Sequence, residues 1–167
     1  AKALMDFPVD MYGHNWDHLD FSGRKIRFHD GGDYTNSTAL IRDSLGIVDM
    51  SPNTGRAPHE RPRRAFGLYT LCLTNEQAFF NDNVAHASDF SFAFDPDSIR
   101  DKVSDVLSHP QRYVDIGIAA AESFRERFAG PRFGEQLLDI ASALRVGCGP
   151  RPGPLQPYFG WPPATLA

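Results

Sequence analysis

Four arginines, a histidine and a glutamate crowd into one proline-punctuated segment of this chain, NTGRAPHERPRRAFG, residues 53–67. Guanidinium groups form bidentate, charge-assisted hydrogen bonds to phosphate oxygens. The segment follows a predicted strand and opens a predicted helix, whose first N–H groups and dipole also favour an anion. A diphosphate site is therefore one interpretation. The other, which composition alone favours, is a solvated basic turn whose arginines pair with Asp and Glu on neighbouring helices.

The positive charge is local in an otherwise slightly acidic chain. The 167 residues carry a formal net charge of −4, with 41% hydrophobic and 23% charged residues. This is the length and composition of one globular domain with a single core. A general binder of nucleic acid or of anionic membranes needs a broad basic face, so neither partner is expected. RNA binding by the arginine segment is a weaker alternative, and it would show a steep salt dependence.

Apolar runs, caps and breakers predict strands that alternate with helices along the chain. The predicted strands are residues 7–13, 25–29, 45–51, 69–76 and 89–95. The predicted helices are one capped by Asp33, residues 58–69, a short turn at 76–80, residues 98–108 capped by Asp95 or Asp97, residues 110–128 with Pro110 in the first turn, and residues 133–146. Parallel neighbours need crossover connections, so this order predicts an α/β fold with a Rossmann-like parallel sheet covered by helices and a C-terminal helical segment.

The elements that position residues 53–67 matter for function. In open α/β sheets, ligands bind at the carboxyl ends of the strands, where loops lead into helix N-termini. The strand GIVDM, the loop SPNTGRAP and the helix that follows place the arginines at such an edge. We therefore expect any ligand of this domain to bind there.

The C-terminal residues differ in composition from the rest of the chain. Residues 148–167, CGPRPGPLQPYFGWPPATLA, are too rich in Gly and Pro for a helix or a central strand. We expect residues 1–147 to form the folded domain and residues 148–167 an irregular tail. Its aromatic residues Tyr158, Phe159 and Trp161 either dock on a neighbouring surface or have no role.

Cysteine content and hydropathy indicate the compartment. Cys72 lies in an apolar run and Cys148 in the tail, which indicates structural cysteines and a reducing environment. No apolar stretch reaches the roughly 20 residues that cross a bilayer, and residues 1–13 lack the apolar run of a signal peptide. We expect a cytoplasmic protein without a membrane span. Because the chain starts close to a predicted strand, we interpret it as a piece of a longer protein.

Other groups of residues in the sequence give weaker indications of a metal site or an enzyme activity. In HNWDH, His14 and His18 are four residues apart with Asp17 between them, a spacing that suits zinc. No Cys or third His lies in an obvious partner position, so ordinary loop histidines are the favoured interpretation. The chain lacks the glycine pattern of dinucleotide-binding folds, the phosphate loop of NTPases and the nucleophile elbow of hydrolases. These absences argue against a dinucleotide-dependent oxidoreductase, an NTPase and a hydrolase.

Residues 49–80, DMSPNTGRAPHERPRRAFGLYTLCLTNEQAFF, resemble the donor-site region of GT-B glycosyltransferases, in particular the group-1, CgeB-like branch. That branch has an apolar strand, a polar loop, His-x-Arg at a helix start, a glycine, and a strand that ends in Leu-Thr-Asp. His59 and Arg61 match the His-x-Arg, Gly67 matches the glycine, and LCLTNE matches the strand, with Asn75 in place of the Asp. The likeness extends in order over residues 7–146.

The resemblance implies the C-terminal, donor-binding domain of a two-domain, metal-independent glycosyltransferase. The substrate would be a nucleoside diphosphate sugar, with no cofactor and no metal. An N-terminal domain of the same longer chain would bind the acceptor across a cleft and supply the catalytic base, so no catalytic residue is assigned here. The residues implied to bind the donor are Gly13, Tyr34, Asn53, Thr54, His59, Arg61 and Arg64.

The resemblance also implies a role for some of these residues. His59 and Arg61 would hold the diphosphate, with Arg64 or Arg56 sharing its charge. Tyr34 would offer a stacking surface near the base, and Gly13 would let the backbone approach the donor.

A second function hypothesis belongs to another class. Related transferases often hold the ribose with a glutamate one turn into the donor-loop helix, where this chain has Arg64. The alternative is therefore a degenerate Rossmann-like binding or scaffolding module without catalysis, with the Pro-rich aromatic tail contacting a partner.

Overall fold

A computed structural model describes residues 1–16, 18–31, 34–51, 58–128, 134–135, 137–139 and 141–142. These residues form an α/β fold in which parallel strands are covered by helices, as the sequence predicted. The strands are β1 (Asp10–Tyr12), β2 (Arg27–His29), β3 (Gly46–Asp49), β4 (Leu71–Asn75) and β5 (Ser91–Phe92). The helices are α1 (Tyr34–Arg42), α2 (Glu60–Gly67), α3 (Ala78–Asn83), α4 (Ala87–Phe90), α5 (Pro96–Ser108) and α6 (Pro110–Phe128), after a short 3-10 helix at Lys2–Leu4.

The described strands belong to two sheets, whereas the sequence predicted one. β1 and β2 form a parallel pair, and β3, β4 and β5 form a parallel sheet with β4 in the centre. All five residues of β4 are buried, whereas β1 and β2 are three residues long with exposed and half-buried side chains. Strands this short and exposed carry no signal that would tell one sheet from two. The predicted α/β fold with Rossmann-like parallel strands covered by helices is confirmed, and its described strands are divided between two parallel sheets.

The core lies between the three-stranded sheet and the helices α2, α3, α4, α5 and α6. Phe66 of α2, Phe80 of α3 and Phe90 of α4 are fully buried, and their rings meet edge to face at centroid distances of 5.6 to 6.1 Å. Such edge-to-face aromatic contacts add to the free energy gained from burying apolar area. This core holds α2, and with it the basic residues at its start, against β4.

The prediction of a strand over residues 89–95 is correct only for Ser91–Phe92. Helix α4 occupies Ala87–Phe90 because Phe90 turns into the aromatic core. The alternation of DFSFAFD favoured a strand on local pattern alone, and tertiary packing of Phe90 overrides that pattern. The predicted helical turn at residues 76–80 is present as α3, which continues to Asn83.

Helix α6 begins at Pro110 as the sequence predicted, whereas α5 begins at Pro96, before the predicted start at Ser98. Asp95 caps α5, since its Oδ1 accepts hydrogen bonds from the backbone N–H groups of Asp97 and Ser98. Pro110 is the first residue of α6. Residues 134–135, 137–139 and 141–142 of the third predicted helix are helical. The rest of that helix, the boundary at residue 147 and the tail lie outside the described residues. Within the described part of the chain, no helix has the length and apolarity that a membrane span requires.

Candidate functional site

A fully buried carboxylate, Asp49, ends strand β3. Its Oδ2 accepts a hydrogen bond of 2.7 Å from Ser51 Oγ. The backbone N–H of Ser51 in turn donates to Oδ1 of Asn75, the last residue of β4, at 2.9 Å. These contacts join the carboxyl ends of two neighbouring strands, which is the edge where the sequence analysis expected a ligand.

Arg61, in the first turn of α2, pairs with this carboxylate. Its Nε lies 3.1 Å from Asp49 Oδ1, and half of the arginine side chain is exposed. Asp49 Oδ1 accepts no well-aligned hydrogen bond, so the contact is an ion pair. A buried carboxylate is costly unless it is paired, and Arg61 supplies the pairing charge. Among the described residues, neither Nη atom of Arg61 has a hydrogen-bond partner.

His59 is the N-cap residue of α2 and contacts the same guanidinium. Its Nδ1 accepts a hydrogen bond of 3.4 Å from Arg61 Nε. A neutral imidazole that accepts at Nδ1 carries its proton on Nε2, which is a donor. The His59 side chain does not cap the helix. His59 and Arg61 therefore place two donors of different kinds beside the N-terminus of α2, where the helix dipole also favours an anion.

Arg64, the third basic residue implied to bind the donor, has other contacts. Its Nη1 donates to Glu60 Oε1 at 3.1 Å, and its Nη2 donates to Ser37 Oγ at 2.9 Å and to Thr38 Oγ1 at 2.6 Å. Its side chain is 16% exposed. Arg61 and Arg64 thus both pair with carboxylates, as the solvated-turn interpretation expects, but of these two only Arg61 is half exposed.

The other residues implied to bind the donor are distributed as follows. Gly13 follows β1 with a φ of +147°, and a Cβ there would lie 2.9 Å from Trp16 Nε1, so its own loop requires a glycine. Tyr34 is the first residue of α1, and its side chain is not among those described. Asn53 and Thr54, like Arg56, lie outside the described residues.

His14 and His18 contact different partners. His14 Nδ1 lies 2.8 Å from Asp30 Oδ1, and its ring covers Gly31, where a Cβ would lie 2.5 Å from His14 Nε2. His18 Nδ1 lies 3.1 Å from the backbone oxygen of Asn15. The described residues contain no group of three or more His, Cys, Asp or Glu side chains placed to hold a metal.

No family model, curated protein or solved structure matches this chain.

Two sets of charged side chains were not predicted from the sequence. One surrounds Asp10 in the β1–β2 pair, and the other surrounds Asp49 at the end of β3. In the β1–β2 pair, Arg27 and His29 hydrogen-bond to Asp10 and hold the pKa of its carboxyl well below its usual range. At the end of β3, Asp49 is close enough to Cys72 that its charge adds to the effect of burial, and both raise the pKa of that thiol well above its usual value. A carboxylate at the last position of an otherwise apolar strand, GIVD, was the available signal for Asp49.

Proposed function

We propose that this chain is the donor-binding domain of a metal-independent GT-B type glycosyltransferase, which holds the diphosphate of a nucleoside diphosphate sugar at the N-terminus of α2. The observation that carries the proposal is Arg61. Its guanidinium sits in the first turn of a helix at the carboxyl edge of a parallel sheet, is fixed at Nε, and has no hydrogen-bond partner at either Nη atom among the described residues. This is the geometry that binds phosphate oxygens bidentately.

The chemistry of sugar transfer needs such a site. Departure of a nucleoside diphosphate leaves negative charge on the phosphate and develops positive charge on the sugar. Fixed donors aimed at the phosphate stabilise this transition state. In the proposed reaction Arg61 and His59 Nε2 donate to the diphosphate, and the dipole of α2 adds to their effect.

In this proposal, the acceptor site and the catalytic base belong to a second domain. An N-terminal domain of the same longer chain would supply them across a cleft. We place the reaction in the cytoplasm, which agrees with the free, buried thiol of Cys72.

A titration tests the proposal directly. The isotope-labelled domain is mixed with UDP, GDP, ADP or inorganic pyrophosphate, and the amide NMR shifts are followed. We expect shifts at His59, Glu60 and Arg61 that are larger for one nucleoside diphosphate than for the others, which would identify the base. The absence of any shift at millimolar ligand would contradict the proposal.

A matched pair of variants assigns the site. Arg61→Ala should weaken pyrophosphate binding about tenfold or more, since a hydrogen bond to a charged group is lost. Arg24→Ala is the control, because Arg24 pairs with Asp6 at the same N···O distance of 3.1 Å but lies before β2. Equal affinities of the two variants would remove the site assignment.

The non-catalytic binding or scaffolding module is the second candidate, and Arg64 is the observation that favours it. Related transferases often have a ribose-binding glutamate at this position, whereas here a cation joins α2 to α1. If this candidate is correct, UDP, GDP and ADP will bind no more tightly than pyrophosphate, or not at all.

A further inference from the structure

We propose that Asp49 is a positioning residue, which orients Arg61 for the donor diphosphate without touching it. The inference rests on the proposed function. It adds a residue to which the resemblance to glycosyltransferases assigned no role, and it gives a role to the buried carboxylate at the end of β3.

The first argument is that Asp49 pairs with the Nε end of the Arg61 guanidinium. Asp49 Oδ1 faces Nε, the nitrogen closest to the backbone, at 3.1 Å. The Nη1 and Nη2 groups are left as the edge that matches two phosphate oxygens. An arginine side chain in water samples many rotamers, and ordering it on binding lowers affinity. An arginine already held at Nε loses less freedom when the anion arrives.

The second argument is that Asp49 is itself held. Ser51 Oγ donates to its other carboxylate oxygen, and Asn75 fixes the backbone of Ser51. The contacts run from the end of β4, through Ser51 and Asp49, to the first turn of α2. Because Asp49 is fully buried, water does not compete for these contacts. The orientation of Arg61 is therefore set by the sheet and not by α2 alone.

The third argument concerns charge, because it distinguishes the two possible effects of neutralising Asp49 on anion affinity. A carboxylate close to an anion site repels the anion, so neutralising Asp49 strengthens anion binding if charge is its only effect. If orientation of Arg61 matters more, neutralising Asp49 weakens binding although a negative charge has been removed. We expect the second result, a loss of about tenfold in pyrophosphate affinity, because a charge-assisted bidentate contact depends on geometry.

The experiment uses Asp49→Asn, which keeps the shape of the side chain and an oxygen that accepts from Ser51. Its amide NMR spectrum confirms the fold before pyrophosphate is titrated. The Nε–H resonance of Arg61 is a second readout. In the wild type this N–H donates to His59 Nδ1, so we expect a resolved signal protected from exchange with water. If Asp49 orients the guanidinium through the ion pair, its neutralisation also loosens the contact with His59, and in Asp49→Asn the signal exchanges faster. Unchanged or tighter pyrophosphate binding by Asp49→Asn, or an unchanged Nε–H signal, would overturn the inference.

A double variant separates positioning from a merely structural role. If Asp49 acts through Arg61, then Asp49→Asn/Arg61→Ala will bind pyrophosphate at least as tightly as Arg61→Ala, because only the repulsion by the Asp49 charge is then removed. A further loss in the double variant would show that Asp49 acts by another route and would overturn the inference.

Different results would contradict the proposed function and the role of Asp49. A wild-type domain that binds neither pyrophosphate nor a nucleoside diphosphate contradicts the proposed function, whereas normal binding by Asp49→Asn contradicts only the role of Asp49.

Discussion

Arg64 donates a hydrogen bond of 2.6 Å to Thr38 Oγ1, and this contact joins helix α2 to helix α1. The same Nη2 donates to Ser37, and Nη1 donates to Glu60. Arg64→Ala removes these contacts from a mostly buried site. We expect the free energy of unfolding to fall by about 1–3 kcal/mol, as measured by urea denaturation.

Arg61 and Arg64 lie one turn apart on α2, so they form a matched pair. The contacts predict different effects on pyrophosphate binding. Arg61→Ala should weaken it and, because the buried Asp49 loses its partner, should also lower stability. Arg64→Ala should lower stability and leave pyrophosphate binding unchanged. The resemblance to glycosyltransferases implied that Arg64 or Arg56 shares the charge of the diphosphate with His59 and Arg61. If Arg64→Ala weakens pyrophosphate binding as much as Arg61→Ala does, Arg64 contributes to the site as the sequence implied.

Gly117 of α6 packs directly on the backbone of strand β4. A Cβ at this position would lie 3.1 Å from the backbone nitrogen of Leu71 and 3.2 Å from its Cα. Backbone atoms of a buried central strand move only at a cost, since interiors are close-packed. We therefore expect Gly117→Ala to lower the free energy of unfolding by about 1–3 kcal/mol, the usual range for overpacking, in a thermal or urea melt.

Gly67→Ala is the control for this substitution. Gly67 is the last residue of α2, and no atom lies within 4 Å of the position of an added Cβ. In an open helical position alanine stabilises by about 0.5–1 kcal/mol relative to glycine. A destabilised Gly67→Ala, or a Gly117→Ala as stable as the wild type, would contradict this account of the α6–β4 contact.

Asp95 caps α5 with its side chain, so its replacement should destabilise mainly the first turn of this helix. Asp95→Ala leaves the backbone N–H groups of Asp97 and Ser98 without the oxygen that now accepts from both. The loss of such an N-cap costs about 1 kcal/mol. Asp97→Ala is a suitable comparison, because Asp97 is exposed and does not cap the helix. Amide exchange in the first turn of α5 should accelerate in the Asp95 variant and not in the other.

Local features of the sequence predicted the elements of this fold better than their arrangement. Pro110 and Asp95 set the starts of two helices through backbone chemistry that acts over a few residues, and both were correct. The continuous apolar run LCLT predicted the buried central strand β4. Which strands pair is decided by contacts between distant residues, so the division into two sheets was not visible.

The same distinction applies to the candidate site. His59 and Arg61 are two residues apart, and their spacing across a helix start was enough to group them. Asp49 is the last residue of β3, whereas Arg61 lies in the first turn of the next helix, α2. The burial of Asp49 results from the packing of the whole sheet edge. A local motif identifies the groups that contact a ligand more easily than the groups that hold them. The contacts of Arg64 with α1 and with Glu60 were likewise not visible from its position in the motif, and its role towards the ligand stays a prediction.

The stability of the domain should depend on alkaline pH through Tyr113. Its ring is fully buried, and its hydroxyl donates to Asp105 Oδ2. Burial, with the hydrogen bond to this carboxylate, raises the pKa of Tyr113 to about 12. In the unfolded chain the phenol titrates near its usual pKa of about 10. The folded state therefore binds the proton more tightly, and its stabilising contribution is complete below pH 10 and is lost as the pH rises through 12.

Between these two values we expect the free energy of unfolding to fall by up to about 1.4 kcal/mol per pH unit from this group. Other side chains also titrate in this range, so the measurement is the difference between the wild type and Tyr113→Phe, which cannot ionise there. The wild type should lose its stability advantage over Tyr113→Phe from pH 10 upward in urea melts at several pH values. Parallel pH profiles of the two proteins would show that the Tyr113 hydroxyl is not held in its neutral form by burial and Asp105.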